Sequence, residues 1–358
     1  MNSLQQTKQL GQSIWLDNLS RTLIREGGLQ KLIAEDGVSG VTSNPAIFFK
    51  AISESPYYRD DVARLKAVKT PAEPLYETLV IPDIQAACDL MLAEYVRTQG
   101  RDGYVSLEVS PALAHDAAGT LAAGLRLKAA VQRKNLLIKV PATPAGLIAI
   151  EELIAQGCSV NVTLMFSLAH VNGVAQAYLR GLQRLIDAGG DPRAVKSVAS
   201  LFLSRVDTLV DKQLDSIGGA ALALRGKAGV ALAKLAYGAY QKTFSTDAFA
   251  KFAARGAMPQ FMLWASTGTK NAAYSDVLYV DSLIGAETIN TVPDATLAAF
   301  RDHGKAAATL LDDMGGAQAH FAALAKVGID MQKVGETLQT EGLTLFEQAF
   351  DQLLKLLA

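Results

Sequence analysis

Leu136 to Thr143 reads LLIKVPAT, a short apolar run, β-branched in part, that is stopped by Pro141 and by the pair Thr143-Pro144. A helix would need ten or more residues of 3.6-residue periodicity, so a run this short between turn signals is read as a buried parallel strand. One residue is out of place in such a strand. Lys139 stands between Ile138 and Val140, and burying an ammonium costs several kcal/mol unless it is paired, reaches solvent or gives up its proton.

The rest of the chain bounds what that lysine could do. With 358 residues, half of them apolar, the chain can bury a large core, and its formal net charge of −1 gives no long-range field for nucleic acid or an anionic membrane. Cys88 and Cys158 form no CxxC pair, and His115, His170, His303 and His320 show no HxH or HExxH spacing, so a disulfide framework and a zinc mechanism both lack support. The amino-terminal MNSLQQTKQL has no apolar core of a signal peptide, and no uninterrupted apolar run reaches membrane-spanning length. The expectation is a cytoplasmic protein without metal or cofactor.

Working outward, SIWLDNLSR (13–21) reads as strand and turn, GVTSNPAIF (40–48) as strand, loop and a helix capped by Asn44 with Pro45 at its first position, and GYVSLEVSP (103–111) as strand. Downstream, CSVNVTLMFS (158–167), VKSVASLFLSRVD (195–207) and QFMLWAST (260–267) are further strand candidates, the sixth ending near Ser200 to Arg205, and DVLYVDSLIG (276–285) with ETINTVP (287–293) supplies the last short apolar pieces. Helical patterns lie between them, with extra helical stretches at about 51–100, where Pro82 is placed to start a helix, and at about 209–254. About eight strands alternating with helices predict a single α/β domain, a (β/α)8 TIM barrel with helical insertions and a C-terminal helix. An open doubly wound sheet competes, but no GxGxxG follows the first strand and no GxxxxGK[ST] occurs.

The odd polar residues then fall into place. Asp17, Asn44, Glu108, Lys139, Asn161 with Thr163, Ser200 with Arg205, and Ser266 each sit at or just beyond the C-terminal end of a predicted strand, and in a barrel those ends converge on the face where sites are built. Singly, each has a bland reading, as a helix cap or a solvated pair. Seven at the same end predict a site. A lysine among carboxylates can form a Schiff base with a carbonyl substrate, provided its pKa is brought down from about 10.4 toward neutrality. Apolar walls and local cations are expected to do this. Asp17 and Glu108 are the carboxylates available for proton transfer.

LLIKVPAT, SIWLDNLSR, GVTSNPAIF, VSLEVSP, NVTLMFS, SLFLSRVD and WASTGTKN, in that order, resemble the transaldolases, class I aldolase-type enzymes of the pentose phosphate pathway. WASTGTKN and the helical inserts resemble the longer bacterial subgroup, type 2. The resemblance implies transfer of a dihydroxyacetone unit from sedoheptulose 7-phosphate or fructose 6-phosphate to glyceraldehyde 3-phosphate or erythrose 4-phosphate. It implies Lys139 as Schiff-base lysine, Asp17 as acid/base, and Glu108 with Thr163 on the water. Asn44, Asn161 and Ser200 would hold the dihydroxyacetone hydroxyls, and Arg205 a phosphate, with Ser266 and Lys270 where the family has its second phosphate contact. Lysine there is a departure, since it cannot fork bidentately as arginine does. Phe202 by itself reads as core; the resemblance places it at the site, where a tyrosine would point instead to the alternative, a fructose-6-phosphate aldolase releasing free dihydroxyacetone. The partners expected are sugar phosphates, with neither nucleic acid nor membrane, and the protein is a monomer or homodimer. Whether the last helix, read as following Gly342, folds over the barrel mouth is left to the structure.

Overall fold

The computed structural model describes residues 1–358, apart from the side chain of Thr246. Eight parallel strands close into a barrel in sequence order: β1 (Gln12–Leu16), β2 (Gly40–Val41), β3 (Tyr104–Glu108), β4 (Leu136–Pro141), β5 (Val160–Met165), β6 (Ser197–Phe202), β7 (Phe261–Ala265) and β8 (Thr288–Val292). β1 pairs with β8 over five residues, which closes the ring. β2 is short, and Gly40 explains its fit: a Cβ there would lie 2.4 Å from the indole of the fully buried Trp15. All strands but the first, in which Ser13 is half-buried, are buried along their whole length, as expected when helices cover the outer face of a closed parallel sheet and side chains fill its interior.

The chain between β2 and β3 forms helices Pro45–Glu54, Arg59–Ala67 and Ala72–Arg97, and that between β6 and β7 forms Ser204–Ile217, Ala228–Thr243 and Thr246–Ala253. Pro82 does not start a helix but lies inside Ala72–Arg97, where neighbouring packing of Leu79, Val80 and Ile84 outweighs the lost hydrogen bond. The final helix, Met331–Leu357, begins well before Gly342. Gly342 continues the helix because the helix lies on the barrel mouth, where a Cβ would come 3.0 Å from Leu164; at Gly335 it would come 2.6 Å from Ser167. No helix among the described residues is long and apolar enough to cross a membrane.

At the opposite end of the barrel Lys196, just before β6, is fully buried. Its Nζ has no hydrogen-bond partner among the described residues and lies 3.2 Å from the centroid of Phe261, whose ring also has the Arg101 guanidinium 5.5 Å away. Burial first, and then Arg101, bring its pKa down to about 7. The unfolded chain keeps this proton up to about 10.5, so between the two values the unfolded state holds more protons and stability rises with pH. Lys196→Met is expected to stabilise the fold at pH 6 by on the order of 3 kcal/mol, with the gain fading toward pH 10. Urea melts at both pH values check this, and equal gains at the two would contradict it.

Candidate active site

Lys139 is the fourth of six residues in β4 and only 4% exposed. Strand pairing places it level with Glu108 on β3 and Asn161 on β5, so the three share one layer of the barrel. Its Nζ donates to Glu108 Oε2 at 3.2 Å and to the carbonyl of Ser43, in the loop after β2, at 3.1 Å. The ring of Phe346, from the C-terminal helix, lies 5.5 Å away. The immediate neighbours are thus a carboxylate, a carbonyl and an aromatic face, not the cations expected from the sequence.

Both carboxylates are pushed upward. Burial raises Glu108 to about 7 against the opposing charge of Lys139, so near neutrality it can both hold and release a proton. Asp17, one residue beyond β1, is also raised by burial, with Lys139 and the Thr42 hydroxyl opposing. Thr42 Oγ1 donates to Asp17 Oδ1 at 2.7 Å and is itself 2.6 Å from Thr291 Oγ1 on β8. From Asp17 a cavity of about 480 Å³ opens outward past Asn18, Lys50 and Asp294.

Hydroxyls and amides line the other wall. Ser200 Oγ on β6 donates to Asn161 Oδ1 at 2.7 Å, and Asn161 Nδ2 donates to Ser106 Oγ at 3.0 Å. Thr163 is fully buried, and its Oγ1 has no partner among the described residues. An unpaired buried hydroxyl costs roughly 1–3 kcal/mol and marks a place where a further polar group belongs. Asn44 caps its helix, accepting from the amide of Ile47 at 3.0 Å.

Several placements differ from the sequence reading. Lys139, Asn161, Thr163 and Ser200 lie within their strands and not at or beyond their ends, because the layer of inward side chains that reaches the mouth starts before the strands end. β6 ends at Phe202, within the expected span, and Arg205 follows just beyond it as the second residue of helix Ser204–Ile217. Its guanidinium carbon is 5.8 Å from the Phe202 ring, which in turn lies 5.2 Å from that of Phe166, and its buried Nη1 has no partner among the described residues. Ser266 adopts φ 53° just after β7 and pairs its hydroxyl with Ser204 at 2.8 Å. Lys270 is exposed, and its charge acts on Asp17 only from a distance.

A buried amine 3.2 Å from a carboxylate that titrates near 7, with the charge of a second buried carboxylate, Asp17, interacting with it, can add to a carbonyl and shuttle the protons of imine chemistry. The same reading comes from comparison. A family model described as transaldolase/fructose-6-phosphate aldolase matches residues 14–357. The chain belongs to this family. It is 55% identical over 355 residues to a protein of Thiobacillus denitrificans named transaldolase, covering 99% of both chains. It is 49% identical over 354 residues to a transaldolase of Neisseria gonorrhoeae, again with 99% of both covered, and 47% identical over 346 residues to one of Mycolicibacterium smegmatis, covering 96% of this chain and 93% of that one.

Within this member of the family the sequence reading missed Ser106, Thr42, Thr291 and Phe346. Ser106 carried a usable signal, since it lies two residues before Glu108 and alternation puts both on one strand face. Thr42 stands inside GVTSNP, two residues before Asn44, with no charge or cap position to mark it. Phe346 carried no local signal at all.

Proposed function

We propose that the protein is a transaldolase working through a Schiff base on Lys139, a reading carried above all by the burial of that amine between Glu108 and Asp17. The amine adds to the carbonyl carbon of a ketose phosphate, and Glu108 supplies the proton with which the former carbonyl oxygen leaves as water, giving an iminium ion. Asp17 takes the proton of the hydroxyl two carbons from the iminium carbon, the carbon–carbon bond breaks, and the electron pair is held as an enamine of the three-carbon unit. The aldose phosphate departs. An acceptor aldehyde is then attacked by the enamine carbon, Asp17 returns its proton to the new alkoxide, and water held by Glu108 and Thr163 releases the ketose product and the free lysine.

Asn161, Ser200 and Asn44 supply hydrogen bonds to the hydroxyls of the three-carbon unit, and Arg205, with its free nitrogen beneath the C-terminal helix, receives the phosphate. Sedoheptulose 7-phosphate and fructose 6-phosphate suit this site as donors. Phe202 brings no hydroxyl to the water near Thr163, which favours transfer over release of free dihydroxyacetone. The free, buried Cys88 and Cys158 suit the reducing cytoplasm as its place of work. Borohydride added during incubation with fructose 6-phosphate is expected to fix a dihydroxyacetone-sized adduct on Lys139, read by peptide mass spectrometry. No adduct, or one on another lysine, contradicts the mechanism, and steady cleavage without an acceptor aldehyde would favour the aldolase alternative.

A further inference from the structure

We infer that Gln339, on the C-terminal helix, is a positioning residue for this reaction: it pins the ends of β4 and β5 and so holds the Thr163 hydroxyl in register with Lys139. The inference rests on the Schiff-base reading above. Its starting point is an irregularity in β5. The pairing of β5 with β6 slips between Val162 and Met165, and Leu164 in the slip adopts φ 57°, a left-handed conformation that crowds a branched side chain against its own backbone. Thr163 lies in the same slip, immediately before Leu164. It pairs with Pro141 of β4, and its carbonyl accepts the amide of Ala142 at 2.9 Å in the last ladder bond between the two strands.

Beyond that bond the ladder cannot continue, because the bulge has turned the β5 backbone. The carbonyls of Ala142 and Leu164 are instead bridged from outside the sheet. Gln339 Nε2 donates to Ala142 O at 3.0 Å and to Leu164 O at 3.1 Å, using both hydrogens of one amide nitrogen. One bridged carbonyl is three residues from Lys139, and the other is next to Thr163. Seven residues further along the same helix, hence on the same face, Phe346 lies over the Lys139 amine. A glutamine that touches no reacting atom therefore couples the seating of the helix to the strained backbone that carries Thr163.

Two variants separate this role from simple packing. Gln339→Leu keeps the bulk and removes both donors. Gln339→Glu keeps the shape, offers no donor as a carboxylate and regains one O–H when protonated. With folding verified by circular dichroism at the assay temperature, both variants should lose about 10-fold or more in kcat at pH 8, with KM for fructose 6-phosphate within roughly 2-fold of the parent. The ratio of the Glu variant to the parent should climb as pH falls toward 5, while that of the Leu variant stays flat. Parent-like kcat in Gln339→Leu, loss confined to thermal stability, or a Glu ratio flat with pH would each overturn the positioning role. A parent enzyme that forms no lysine adduct would instead overturn the Schiff-base reading itself, so the two failures are distinguishable.

Discussion

Lys139→Met is expected to lower turnover by at least about 10⁴-fold while leaving a folded protein, because methionine fills the same slot and supplies no nucleophile. Removing one partner of a buried ion pair usually destabilises by roughly 3–5 kcal/mol, since the other charge is left alone. Here the partner can escape that penalty. Glu108 already titrates near 7 in the presence of the lysine, and without it the carboxyl keeps its proton and stays neutral. An acid whose folded pKa is raised contributes stability that is full below about 4.5 and is lost as pH rises through the folded value. The variant's melting temperature should accordingly sit near the parent's at pH 6 and fall behind it by pH 9. Folded Lys139→Met protein with normal turnover would end the Schiff-base proposal, and a deficit in melting temperature that is largest at low pH would reverse the assignment of the proton to Glu108.

Arg21→Leu is expected to be the most damaging single change to the fold outside the barrel. Arg21 is 6% exposed and sits four residues beyond Asp17, where the chain leaves β1. Its Nε donates to Asp83 at 2.9 Å, its Nη1 to Asp61 at 2.8 Å and to the carbonyl of Tyr57 at 3.0 Å, and its Nη2 to the carbonyl of Leu79 at 2.9 Å. The guanidinium also lies 4.4 Å from the centroid of Tyr58, whose hydroxyl closes the network by donating to Asp83 at 2.8 Å. One side chain thus joins the first loop of the barrel to the helices inserted after β2. Leucine would leave Asp83, itself 4% exposed, with a single side-chain donor and would take the guanidinium away from the carbonyls of Tyr57 and Leu79, a loss of roughly 3–5 kcal/mol. Burial already raises the Asp83 pKa with the arginine in place, and removal of the cation raises it further. The deficit should therefore be smaller at pH 5, where Asp83 can be protonated, than at pH 8, which chemical melts at the two pH values would show. A loss under about 1 kcal/mol, or one independent of pH, would mean that the network is solvated rather than structural.

What could be read from the chain without its fold follows a physical line. Strand identity in LLIKVPAT, VSLEV and NVT is a local property, set by short apolar runs and turn residues, and the chemistry of Lys139, Asp17 and Glu108 follows from finding charged groups where apolar ones belong. Ser106 shares that legibility through alternation with Glu108. Boundaries were less legible. Pro82 lies inside a helix and Gly342 in the middle of one, because tertiary packing overrules the local preference of each residue to break a helix. The end of the sixth strand was legible only to within Ser200 to Arg205, because the apolar run Leu201–Leu203 carries no stop signal of its own, and the helix begins at Ser204.

By itself, the sequence determined the alternation of eight strands with helices and marked Lys139, Asp17 and Glu108 as charges at strand positions, since strands and misplaced charges are each read within a few residues. Only the tertiary structure decided what confines them. Gln339 meets Ala142 and Leu164 across 197 and 175 residues of chain, Phe346 meets Lys139 from the same distant helix, and Arg21 meets Asp83 across 62. A glutamine on a helix, a phenylalanine among leucines and an arginine after a serine cap carry no local mark of such partners. Their roles arise when the closed ring of strands brings its mouth under the last helix, and hydrogen-bond donors that water would otherwise satisfy are committed to particular carbonyls and carboxylates.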